Sequence, residues 1–311
     1  RKYQNAAEIF LSGQDETDFA VLYCQTNDYL ENRMPLNPDS VGTQGTPTRR
    51  SWSGKDALLY AVGIGAGTED LQYTTENTKD LQQQVFPTFA VIIGGGGVPM
   101  KAAGSFNPAM MVHGEQGIEL LAEIPVEGEI ESTGEIVGVY DKGSAGVLAF
   151  SSESKDVNTG KVLLRTRSTL FCRGEGGFGG DRGPNDRIEF PDRDADHAVT
   201  YATREDQALT YRLSGDRNPL HSDPSFAAIG GFAKPILHGL CTYGFTGRGL
   251  LQVMCAGDAA RFRSMNARFS KPVYPGDALT VSMWEEADRV IFRTSNQHGD
   301  IVIDQGVFTY Q

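Results

Sequence analysis

The stretch YRLSGDRNPLHSDPSFA, residues 211–227, sets a carboxylate, Asp216, a carboxamide, Asn218, and an imidazole, His221, within six residues. Gly215 lets the backbone turn sharply before the acid, and Pro219 fixes the chain between amide and ring. Three polar side chains can then converge on one small volume instead of spreading along a helix. Asp223-Pro224 follows as a helix start, an N-cap acid with proline at the first helical position. As bare composition the stretch also fits a plain polar turn, with Asp and Asn serving only as caps.

The flanking blocks narrow that choice. GGFGGDRGP (176–184) precedes the stretch, KPILHGLCTYGF (234–245) follows it, and ARFSKPVYPGD (267–277) lies further on. With Y-x-L-S-G-D-x-N-P-L-H-x5-A, these blocks in this order resemble the (R)-specific 2-enoyl-CoA hydratases, the hydratase 2 or MaoC-like family, over roughly residues 34 to 311. The resemblance implies an α+β fold, a tandem double hotdog in which each half is a curved antiparallel sheet wrapped around a central helix. It implies reversible hydration of trans-2-enoyl-CoA to (3R)-3-hydroxyacyl-CoA, with coenzyme A carried by the substrate and no metal or redox cofactor. Asp216, His221, Asn218 and Gly239 match the catalytic positions. His113, Gly114, Lys142, Arg217, Pro219, Leu220 and Phe269 match substrate or CoA contacts. Arg268 and Lys271 are candidates for the CoA phosphates, against the plain alternative of surface charge.

Composition sets the outer limits. A hydrophobic content of 39% and 22% charged residues describe a globular chain with a sizeable core. The net charge of −12 argues against a nucleic-acid partner and requires local cations for any polyanionic ligand. Cys24, Cys172, Cys241 and Cys255 lack CxxC spacing and suit free thiols of a reducing compartment. No apolar run approaches the ~20 residues of a spanning helix, no signal peptide is visible, and the terminal residues are not a peroxisomal tripeptide. The expectation is a cytoplasmic protein without membrane contact, with a homodimer as a candidate assembly.

Residues 1–33 carry none of the blocks and read as an extension of uncertain origin, with a helix over 17–31. Beyond them lie an N-terminal hotdog (34–177), a linker rich in Gly, Asp, Arg and Pro (178–197) and a C-terminal hotdog (198–311). The spacing predicts a helix from Ser53, a strand at 71–75, a flexible turn at the four glycines 94–97, and a helix from His113 to about Glu123 with glycines 114 and 117 on one face. Strands are expected at 134–140, 147–154 and 162–171. The second half repeats this order, with a long apolar helix from Gly239 to about Ala256 and strands at 261–269, 278–285, 290–295 and 301–310. Val112-His113-Gly114 echoes Leu237-His238-Gly239, and Ala57-Leu58-Leu59-Tyr60 echoes Ala208-Leu209-Thr210-Tyr211.

That last echo places Gly65 opposite Asp216, so the first half lacks the acid and one catalytic site per chain is expected. The first half is then free to hold the acyl tail, with 86–93, Phe106, Met110 and Met111 as lining. Chemically, an Asp and a His separated by one tight turn can hold a water, one taking a proton while the other returns one. Asn218 can orient the substrate or hold the carboxylate. Gly239, at a helix N-terminus, offers an unpaired N–H to negative charge on the thioester oxygen. A carrier-protein thioester dehydratase, a hotdog thioesterase and a non-catalytic acyl-CoA binder share parts of this pattern. An intact Asp216/His221 pair speaks against the last.

Overall fold

A computed structural model describes residues 36–106, 110–185 and 187–311; the helix expected over 17–31 lies outside them. Ten strands form one antiparallel sheet: β1 (Thr48–Trp52), β2 (Met111–Leu120), β3 (Gly128–Asp141), β4 (Ala145–Asp156), β5 (Val162–Arg173), β6 (His197–Ala202), β7 (Phe262–Phe269), β8 (Ala278–Glu285), β9 (Val290–Asn296) and β10 (Ile301–Tyr310). Their order is β1-β3-β4-β5-β2-β7-β10-β9-β8-β6. The hairpin turns fall where the glycines permit left-handed backbone, at Gly143 (φ 86°), Gly160 (φ 68°) and Gly299 (φ 79°). Burial alternates along strands such as β8, so one face looks inward and the other to solvent.

The halves join at β2 and β7, which pair from Glu115↔Arg268 to Glu119↔Ser264. This corrects the helix expected from His113 onward, because Met111–Leu120 is a strand paired with β5 on its other side. Its apolar positions suited either period. Two glycines weaken a helix by roughly 1 kcal/mol each, and a helix here would leave β5 and β7 as open edges. Gly117 is no helix-packing glycine; a Cβ there would lie 2.1 Å from Asn266 Oδ1 across the seam.

Among the described residues only the second half carries a long central helix, Gly239–Met254, and twelve of its sixteen residues are buried. A helix buried on nearly all sides needs neighbours on both flanks. On the first-half flank these are the helix Gly54–Gly63 and the 3-10 turn Pro87–Phe89. A Cβ at Gly244 would stand 2.3 Å from Ile64 Cγ2, and one at Gly247 would stand 2.3 Å from Thr88 Cγ2. Tyr60, Phe86, Phe89, Phe245 and Leu250 accordingly share one core cluster. Residues 71–75, expected as a strand, hold the helix Leu71–Thr74. The four glycines are not a free turn: Gly134 N–H donates to Gly97 O (3.2 Å) and Ser152 Oγ to Gly96 O (2.9 Å).

A fragment beginning at Asp194 would bare the β7 edge and the Gly244/Gly247 flank of the helix together. It is expected to aggregate or remain inactive, in contrast to the full chain. Size-exclusion chromatography and a turnover assay on the purified fragment check this, and a soluble, fully active fragment would contradict it.

Candidate active site

The polar stretch folds as a chain of caps. The helix Gln207–Tyr211 runs into a 3-10 turn, Arg212–Ser214, that ends at Gly215 with φ 134°, a value only glycine takes freely. Asn218 Oδ1 accepts from Leu220 N–H (2.9 Å) and starts the 3-10 turn Pro219–His221. Asn218 holds the acid through its main chain, whose N–H donates to Asp216 Oδ1 (3.1 Å), while its side-chain oxygen caps the turn. Asp223 caps the next helix, Pro224–Ile229.

Two histidines meet over this turn. A carbonyl can only accept, so the 2.8 Å contact between His221 Nδ1 and Ile236 O fixes the proton on Nδ1. His221 Nε2 is left as a bare lone pair, buried and without a protein partner. His238 Nε2–H donates in turn to the main-chain oxygen of Asp216 (3.1 Å). The two rings stack with centroids 3.7 Å apart and planes 28° apart. One carboxylate oxygen of Asp216 and one ring nitrogen of each histidine lie within 4.8 Å of one another. Such a trio invites comparison with a metal site. Yet ligands of one zinc must aim at a common point about 2.1 Å from each, and stacked rings keep their lone pairs in near-parallel planes. The arrangement suits a water better than an ion.

Burial pushes the Asp216 carboxyl up to about 6, against the opposing pull of the Asn218 N–H and of Arg212. Burial also pushes His221 down to about 4, with the Ile236 carbonyl opposing, and holds His238 well below the usual imidazole range, helped by the adjacent His221. At neutral pH the site therefore presents two neutral imidazoles and a carboxylate close to its titration point.

Gly239 opens the central helix directly after His238, and its N–H is one of those a helix start leaves unpaired within the helix. A Cβ on Gly239 would lie 3.3 Å from the Phe269 ring. The His113 ring meets Phe269 from the first half at a centroid distance of 4.9 Å. Gly114 sits at the register shift between His113 and Glu115. Gly239 and His113 thus meet one ring, Phe269, at the seam.

Others are placed elsewhere. Arg268 alternates with Phe269 along β7, so it leaves the opposite face of the sheet, exposed, in register with Glu115 and Asp304. Lys271 pairs with Asp300. Lys142 rides on the β3–β4 turn, bonded to Arg182 O and 5.9 Å from the centre of the Tyr140 ring. Among the described residues no hydrogen bond or ring contact joins it to the Asp216 cluster. Arg217 is exposed, while Pro219 and Leu220 form the turn that carries His221. A concavity of about 900 Å³ lies on the solvent side of the sheet, where Arg165 is paired with Glu119 and Glu153. His238 is the site residue that sequence reasoning missed. The available signal was a second histidine inside KPILHGLCTYGF, next to Gly239.

The raised Asp216 carboxyl carries a stability consequence. The folded state holds this proton more tightly than the unfolded state, so stability falls as pH rises from about 4 through about 6. Asp216→Asn removes that penalty and is expected to stabilise the fold at pH 7.5 by on the order of 2–3 kcal/mol. The gain should vanish below pH 4, as checked by thermal unfolding across that range.

Comparison with known proteins bears on the fold and the family. Residues 188–306 match the MaoC like domain family, and residues 51–174 match the MFE-2 hydratase 2 N-terminal domain family. The chain is 46% identical over 287 residues to 3-hydroxyacyl-thioester dehydratase Y of Mycobacterium tuberculosis, covering 89% of this chain and 99% of that one. It is 41% identical to the probable enoyl-CoA hydratase 2 of Dictyostelium discoideum, covering 84% and 92%. The crystal structure of a MaoC-like dehydratase from Phytophthora capsici superposes with a TM-score of 0.80 at 34% identity, covering 89% and 98%. With a ten-stranded double hotdog sheet, an Asp–His turn in the second half and relatives matched over nearly their full length, the chain belongs to the MaoC-like dehydratase and hydratase 2 family.

Proposed function

We propose that the protein hydrates trans-2-enoyl-CoA reversibly to (3R)-3-hydroxyacyl-CoA in fatty acyl-CoA metabolism. The observation that carries this reading is the Asp216 carboxylate within 4.8 Å of a ring nitrogen of His221, whose buried Nε2 has no protein partner, next to the start of the central helix. A water between them donates one hydrogen to Nε2 and the other to Asp216. As its oxygen bonds to C3, Asp216 takes the proton and returns it to C2, so H and OH add across one double bond. Charge on the thioester oxygen is met by Gly239 N–H at the positive end of the helix dipole, a donor type worth about 3–4 kcal/mol elsewhere. Asp216 is the proton carrier because its pKa lies nearer neutrality than that of His221. The cycle consumes neither electrons nor a metal-bound group. The relatives' printed names, enoyl-CoA hydratase 2 and 3-hydroxyacyl-thioester dehydratase, describe the two directions of such a reaction.

The acyl tail enters the first half. A cavity of about 110 Å³ adjoins Ser214, with Leu59, Phe89, Ile92, Ile93 and Leu213 on its walls and Arg50 beside them. Of the lining expected from sequence, Phe89, Ile92 and Ile93 border this cavity. Phe106 and Met111 pack instead in a separate small cluster with Leu36, Ile136 and Phe150, and Met110 is exposed. The CoA portion extends toward the seam at Phe269 and His113, with Lys142 as its cation. No described helix is long and apolar enough to cross a membrane. The buried free thiols Cys172, Cys241 and Cys255 suit a reducing compartment, for which the cytoplasm is the simplest choice.

Loss of enoyl-thioester absorbance on trans-2-enoyl-CoAs of graded length, with chiral analysis of the product, tests the reading. Asp216→Asn and His221→Ala should each lower kcat by about 10²–10⁴, and the double variant should lose little more, because both act on one water. The acid limb of kcat/KM should fall off as pH drops through about 6, when Asp216 takes its proton. Near-normal turnover of Asp216→Asn would sink the mechanism, and free thiol release without hydration would point to a thioesterase.

Ile92→Trp is expected to impair long enoyl-CoAs and spare crotonyl-CoA, at about 0.8 kcal/mol per excluded methylene. An equal loss at every length would remove the tail from this cavity.

A further inference from the structure

His238 does more than fill the core behind His221. Its side chain is 1% exposed, yet it makes three separate connections within the site. Nε2–H grips the main-chain oxygen of Asp216 at 3.1 Å. One ring face lies on His221 at 3.7 Å, and Tyr211 meets the ring at 5.0 Å in a tilted contact. Its own backbone is the N-cap of the central helix, where its carbonyl accepts from Cys241 N–H and Thr242 N–H at 3.1 Å each. The next amide in the chain is Gly239 N–H. The proton carrier and the water holder share one turn while the oxyanion donor opens the central helix, and this one residue touches the first two and precedes the third.

We propose that His238 is a positioning residue that fixes the spacing between Asp216, His221 and the Gly239 N–H. The inference rests on hydration by Asp216 and His221 as described above. A residue that only packed the core would need shape alone. Here the required features are a donor at the Nε2 position, where the main-chain oxygen of Asp216 would otherwise stay unsatisfied, and a flat surface for the His221 ring. No proton is passed through His238 in this role. It acts by holding the reacting groups at bonding range, where displacements near 1 Å reduce rates by about 10²-fold.

Two substitutions separate the features. His238→Gln keeps an N–H donor near the Nε2 position, whereas His238→Phe keeps ring and volume without a donor. If His238→Phe does not fold, His238→Met, apolar and flexible, replaces it as the donorless variant. With crotonyl-CoA as substrate, the donorless variant is expected to lose about 10²-fold in kcat with KM changed less than about threefold, and His238→Gln to recover at least part of that loss. Placed on Asp216→Asn, the donorless substitution should lower the remaining activity by less than about twofold, because the group it positions has already lost its function. A purely structural role would instead multiply through undiminished. Wild-type kcat in the donorless variant, or full multiplication on Asp216→Asn, overturns the proposal while leaving the hydratase reading intact. A wild-type protein that does not hydrate enoyl-CoA overturns both.

Discussion

A helix buried along most of its length must still find use for the N–H groups at its start. The central helix is enclosed by the inner face of the sheet on one flank and by first-half helices on the other, so its N-terminus cannot simply turn to bulk water. The KPILHG segment settles this by bringing His238 and Gly239 against the Asp216 turn and the Phe269 ring. Much of the site follows from that placement. The positive end of the helix dipole faces the Asp216–His221 turn, and that turn needs only short polar side chains to complete the set.

The same helix explains why the duplicated halves are unequal. Gly65, opposite Asp216 in the internal alignment, has φ 79°, and a Cβ there would fall 2.3 Å from the Phe245 ring. Its carbonyl accepts from Arg248 (2.8 Å), whose guanidinium also binds Asp70 in a buried pair at 2.7 Å. An acid at position 65 would collide with the helix that the other half supplies. Breaking the Arg248–Asp70 pair would leave a charge stranded in the core. One helix shared by two half-sheets thus permits one catalytic turn, and the first half is left with short helical pieces around a cavity.

Burial does the electrostatic work. The desolvation that disfavours the Asp216 charge brings its pKa within reach of neutrality, and the same desolvation keeps both imidazoles neutral. Stacked rings 3.7 Å apart could not both ionise without strong repulsion. A carboxylate strained toward its acid form gives up some stability in exchange for a proton it can hand over, a common trade at catalytic positions.

The sequence by itself determined what is local. Glycines at 143, 160 and 299 marked tight turns, Asp216-Arg217-Asn218-Pro219-Leu220-His221 marked a polar turn, and Asp223-Pro224 marked a helix start, because each depends on backbone preferences of a few neighbouring residues. Blocks of such residues were also enough to indicate the family. Tertiary structure decided what depends on partners distant in the chain. Residues 111–120 satisfied helix and strand periods alike, and only pairing with β5 and β7 made them a strand. Arg268 and Phe269 are neighbours in sequence but face opposite sides of the sheet, so only Phe269 meets Gly239. His238 looked like the echo of His113. Its role came from a ring stacked on a side chain seventeen positions away in sequence and a hydrogen bond reaching back twenty-two, contacts that no local preference encodes.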